Sequence, residues 1–86
     1  MTNSLQGLTD RLLAAARGGP LGDQVRGLRV EPEFDNDDEE YLRVLITLPD
    51  GLTVSDEDLV RTLEQVEDAA AEVDRRYVSV RFLDAA

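Results

Sequence analysis

Apolar residues recur along this chain at helical spacing in some stretches and at every second position in others, and the switches between the two mark its elements. Over residues 3–17, NSLQGLTDRLLAAAR, Leu5, Leu8, Leu12 and Ala15 or Ala16 fall at helical spacing. Asn3 or Ser4 stands where a cap is needed, and Gly18, Gly19 and Pro20 end the segment. Gly7 weakens this helix by about 1 kcal/mol relative to alanine, so its first turn depends on packing. The linker 18–24 contains a Gly-Gly-Pro hinge, which lets the helix be read either as detached and partner-binding or as folded back on the remainder.

Strict alternation begins at Val25 and runs to Phe34, with Leu28, Val30, Pro32 and Phe34 on one side. Pro32 cannot donate to a ladder, so this strand is expected at a sheet edge or with its proline nitrogen turned outward. Tyr41 to Leu48 alternates again, placing Leu42, Val44, Ile46 and Leu48 opposite Tyr41, Arg43, Leu45 and Thr47. The two runs predict an antiparallel hairpin. Pro49, Asp50 and Gly51 form a turn, and Ser55 caps the next helix, with Asp58 in the capping-box position. Leu59, Leu63, Val66, Ala70 and Val73 make a single stripe that predicts a helix over 55–76, with Arg75 and Arg76 favouring its C-terminal end. YVSVRFL, residues 77–83, closes the chain as a strand with Val78, Val80 and Phe82 on one side.

The order is helix, strand, strand, helix, strand. This predicts an α+β fold in which an N-terminal hairpin is joined by a crossover helix to a third, parallel strand, with the long helix on one face. Pro32 favours the spatial order 1-2-3 over 2-1-3 because it makes the first strand a poor centre. At 86 residues the chain is read as a single domain, 1–86, with a ββαβ core over 25–86.

Composition narrows the chemistry. The chain has no cysteine, no histidine and no lysine, its nine basic residues all being arginine. Disulfides, thiolate chemistry, the usual general base and Schiff-base chemistry are therefore absent, and the serines Ser4, Ser55 and Ser79 have no histidine partner. The expectation is a non-enzymatic protein with no catalytic residues, no cofactor and no metal ligands. No stretch is long and apolar enough to span a bilayer, and the N-terminal residues lack the basic and apolar regions of a secretory leader, so a cytoplasmic location is expected. An acidic, arginine-only, alanine-rich chain fits a high-GC bacterium or its phages.

The net charge of −10 is unevenly spread. Residues 1–30 carry four arginines against two aspartates, whereas Glu31 to Glu40 holds seven carboxylates and no base. Nucleic acid and anionic membrane are disfavoured as partners. The loop formed by Asp35, Asp37, Asp38, Glu39 and Glu40 admits three readings: a solvated hairpin tip, a cation site and a mimic of a phosphate backbone. The EF-hand comparison fails, since Asp35, Asp37 and Glu39 alternate correctly but Glu40 stands where glycine is wanted and Ile46 where the bidentate glutamate is wanted. Asn and Asp are favoured in a turn for their own backbone chemistry, so the hairpin tip is preferred.

The second sheet face is the stronger candidate. If the long helix covers the even-numbered strand residues, the other face shows Tyr41, Tyr77, Leu45, Leu83 and Val25 beside Arg29, Arg43 and Arg81. Tyrosine and arginine with scattered aliphatics are what protein interfaces favour. The competing readings are that the N-terminal helix covers this face, or that the arginines only pair with Glu31 and Glu33 across strands. The sequence therefore points to an acidic protein-interaction domain, of inhibitor, antitoxin-like or accessory-subunit type, that binds a basic partner protein through this face, the N-terminal helix and the acidic rim. A homo-oligomeric module is the alternative.

Overall fold

The computed structural model describes residues 4–84, with the side chains of 5–84. Its elements are α1 (Ser4–Arg17), a short 3-10 turn (Gly22–Gln24), β1 (Gly27–Phe34), β2 (Glu40–Leu48), α2 (Asp56–Ala71) and β3 (Val78–Asp84). The expected Asn3 or Ser4 cap of α1 lies outside the described side chains.

The sheet has the order β1-β2-β3, with β1 antiparallel and β3 parallel to β2. Pro32 opposes Leu42, whose N–H is given to the Tyr77 carbonyl at 3.0 Å on the other side. The proline's missing donor therefore faces outward, and β1 tolerates it as an edge strand.

Both helices lie on the same face of this sheet. Leu8, Leu12 and Ala16 of α1, Val66 and Ala70 of α2, and Leu28, Leu42, Val44, Ile46 and Leu48 of the strands form one buried cluster. The even-numbered residues of the strands meet the helices, as the alternation predicts. α1 is neither detached nor folded over the opposite face. Its last turn is pinned because Arg17 donates to the carbonyl of Val25 at 3.1 Å, and the chain that follows buries Leu21 and Val25. The Gly-Gly-Pro stretch works as a tight corner instead of a hinge: a Cβ on Gly19 would stand 2.0 Å from the Gln65 Oε1 of α2.

Three further expectations are corrected. Val25 belongs to the buried cluster and not to the open face, because the strand begins two residues later at Gly27. Pro32 and Phe34 project on the helix side but are exposed, Phe34 by 67%, since β1 runs past the helices. Helix α2 ends at Ala71, not at residue 76, so Val73 is exposed and Arg75 and Arg76 lie beyond the helix. The chain leaves the helix there because the Asp74 carboxylate accepts the backbone N–H of Arg76 at 2.9 Å, a local bond that competes with helical hydrogen bonding. Ser55 caps α2 as expected, accepting the N–H of Asp58 at 3.2 Å.

Candidate functional site: the open sheet face

With both helices on one side, the odd-numbered strand residues form a face that no other described element covers. Register sets its rows. Glu33, Tyr41 and Tyr77 lie side by side; then Glu31, Arg43 and Ser79; then Arg29, Leu45 and Arg81; then Gly27, Thr47 and Leu83. The seven residues Arg29, Tyr41, Arg43, Leu45, Tyr77, Arg81 and Leu83 are therefore brought together on one face.

The two tyrosines stack, with ring centroids 5.1 Å apart and planes inclined by 26°. Tyr77 is nonetheless 59% exposed, because it caps the row at the sheet's rim. Arg43 sits in the middle of the face. Its pKa is raised further above the ordinary arginine value by a hydrogen bond with Tyr41 and by the nearby Glu33 and Glu31 carboxylates, so it stays charged. Arg29 forms an ion pair with Glu31 along the same strand. The pairing expected across strands is not what this ion pair supplies, since Arg29 and Glu31 share β1; Arg81, beside Leu45, is exposed.

The acidic loop does not converge on one point. Asp35 turns inward: its Oδ1 accepts the N–H of Asp37 at 2.8 Å and of Glu39 at 3.0 Å, closing the hairpin with Asp38 at a φ of 62°. Asp37, Asp38 and Glu39 are exposed, and Glu40 pairs with Arg76 at 3.1 Å. Among the described residues no group of three or more carboxylates gathers to hold a metal ion. Replacing Asp35 with Ala removes both acceptor contacts and should lower stability by about 1 kcal/mol, whereas Asp35→Asn, which keeps an acceptor oxygen, should cost less. Urea unfolding midpoints of the two variants check this.

Sequence reasoning missed one cluster, because Arg76 was assigned to the helix. Arg76 donates to Asp74 from Nε at 3.0 Å and Nη2 at 2.6 Å and reaches Glu40 of β2 with Nη1. These bonds, with the Arg76 and Arg75 backbone N–H groups, lower the Asp74 carboxyl to about 2 from its ordinary 3.8, and the Arg76 pKa is raised in turn. The cluster bolts the connector after α2 to the end of β2. A carboxylate whose pKa is depressed on folding contributes stability that is present above 3.8 and lost as pH falls through that value towards 2. Partial exposure screens the pair, so about 1 kcal/mol is expected to disappear over that window. Acid titration of Asp74→Asn beside the unmodified chain should show the difference between them shrinking below pH ~4.

A cleft between α1 and residues 73–76 is lined by Leu5, Leu8, Arg11, Val73, Asp74 and Arg76. Its arginines are already paired, Arg11 with Glu72 and Arg76 with Asp74 and Glu40, so it offers little free charge to a ligand. No described helix is long and apolar enough to cross a membrane.

No protein-family model matches the chain, and no curated protein sequence matches it. Solved structures do share its fold. The copper form of the MamM CTD is 18% identical with a TM-score of 0.55, over 95% of this chain and 87% of that one. A nickel form of a MamM CTD variant is 20% identical with a TM-score of 0.54, over 94% of this chain and 99% of that one. A doubly substituted MamM CTD is 19% identical with a TM-score of 0.56, covering 99% of each chain. At these identities the likeness is one of fold: an α+β domain of αββαβ order with a three-stranded mixed sheet and two helices.

Proposed function

We propose that this chain is a non-catalytic protein-interaction domain whose contact surface is the open sheet face. One observation carries the reading: both helices pack on the same side of the sheet, leaving stacked Tyr41 and Tyr77, with Arg29, Arg43 and Arg81, as an ordered and uncovered surface. Large rings that are already stacked lose little freedom on binding, and arginines reach carboxylates across an interface with fixed charge. The partner is a protein. The acidic hairpin tip at the end of this face steers the approach of a partner that is basic around its contact patch, while the face arginines pair with that partner's own carboxylates.

Catalysis finds little support. A general acid near neutral pH needs a carboxyl raised by burial, and Asp74 is lowered by an arginine instead. The MamM CTD has been described in copper and nickel forms. This chain lacks imidazole and thiolate, the donors those metals prefer, because it has no histidine and no cysteine. Its likeness to MamM therefore supports a shared scaffold and not a shared metal site.

The test is to recover the chain with its partner from the native host, reconstitute the pair, and measure the affinity of Tyr77→Ala/Arg43→Ala. An affinity unchanged by this double substitution removes the face from the interface.

A further inference from the structure

The rim of the sheet carries a separate feature. In the parallel ladder the Tyr77 carbonyl accepts the Leu42 N–H, so Tyr77, Ser79, Arg81 and Leu83 direct their main-chain groups at β2. Main-chain groups on one strand alternate in direction. Val78, Val80, Phe82 and Asp84 therefore turn their N–H and C=O groups outward, and these make no backbone hydrogen bond to any other described element. β1, the opposite edge, is blunted by Pro32, but β3 has no proline and one arginine in a run of apolar and β-branched residues. Such an unguarded edge is a template for another strand.

We infer that β3 pairs antiparallel with β3 of a second copy of this chain, about a two-fold axis at Val80, joining two sheets into one. The register follows from complementarity. With Val80 opposite itself, Val78 meets the second copy's Phe82 on the helix side, and exposed Tyr77 meets exposed Leu83 on the open side. Arg81 meets Ser79 on the open side. Each outward-facing pair exchanges both of its main-chain bonds. Sliding by two residues one way sets Arg81 against Arg81, which like charges oppose. Sliding the other way leaves only residues 78–80 of the two strands overlapping, because β3 begins at Val78.

The pairing goes beyond the face reading, since it uses the rim, and the two fail separately. It also merges the two open faces into one surface of doubled width.

The absence of cysteine makes the register directly measurable. Tyr77→Cys/Leu83→Cys places thiols about 20 Å apart within one strand, too far to bridge, but opposite each other between copies. Mild oxidation should give a covalent dimer from the double variant and little from either single variant. Sedimentation of the unsubstituted chain should show a reversible dimer, weakened at least about tenfold by Ser79→Arg, which sets like charges opposite each other across the two-fold on the open side. Val80→Pro removes an outward N–H and spares the bonds to β2, so it should yield a folded monomer by circular dichroism. A chain monomeric at all concentrations, no cross-link in the double variant, or equal cross-linking by the single variants would each overturn the pairing. None of these outcomes alters the Tyr77→Ala/Arg43→Ala test with a heterologous partner.

Discussion

Val66→Asp should abolish the fold, leaving a chain with no cooperative melting transition and a coil-like circular dichroism spectrum. Val66 is fully buried on α2, inside the cluster that joins both helices to β2. An aspartate there loses the burial of an apolar side chain, about 1.5–3 kcal/mol, and leaves a carboxylate with no cation near it. Stranding a charge in a core costs a further 3–5 kcal/mol or so. Small domains hold roughly 5–15 kcal/mol in total, and a chain of this length belongs near the lower end. The sum therefore meets or exceeds the whole stability. Val60→Asp supplies the control. Val60 lies on the same helix but is 51% exposed, so the same chemical change should shift stability by no more than about 0.5–1 kcal/mol. If both variants unfold alike, helix propensity and not burial is responsible, and the packing of α2 described above is wrong.

The contrast between Val66 and Val60 also shows what could be read from the sequence. Period-two alternation in β1, β2 and β3 decided which side chains face the helices, because a one-residue slip would have turned Leu42, Val44 and Ile46 to water. Pro32 favours the strand order that the structure has, β1-β2-β3, without deciding it against 2-1-3. The helix stripe was less so. Thr62 is fully buried in α2, while Val73, in the predicted stripe, is 54% exposed. Thr62 can be buried because its hydroxyl donates to the Asp58 carbonyl at 2.9 Å, a bond within its own helix that a hydropathy pattern does not weigh. Val73 falls out because Asp74 takes the Arg76 backbone and ends the helix early. The placement of α1 was the least legible: a thin stripe followed by Gly-Gly-Pro is compatible with a detached helix. It is the contacts of Arg17, Leu21 and Val25 with the corner, long-range consequences of the fold, that fix it. The candidate face was legible in its residues, because odd and even positions separate by register. Its openness was not, since that depends on where α1 lies.

Tyr77→Ala/Arg43→Ala should weaken partner binding by at least about 2 kcal/mol, or roughly thirtyfold, with the fold intact. Both residues neighbour Tyr41, one through ring stacking and the other through a hydrogen bond. Removing Tyr77 takes away an exposed ring and frees Tyr41 to rotate; removing Arg43 takes away the positive charge beside Tyr41, Glu33 and Glu31. The two losses act on the same central ring, so they are expected to be non-additive, and the single variants must be measured beside the double one. Stability should change little, because Tyr77 is 59% exposed and Arg43 lies on the uncovered side of the sheet. The urea midpoint reports the fold, and calorimetric titration reports the binding. Lost binding with an unchanged midpoint assigns the contact to this face. If the midpoint falls with the affinity, the tyrosine stack is a structural brace between β2 and β3, and the contact surface must then be sought among residues that do not support the sheet.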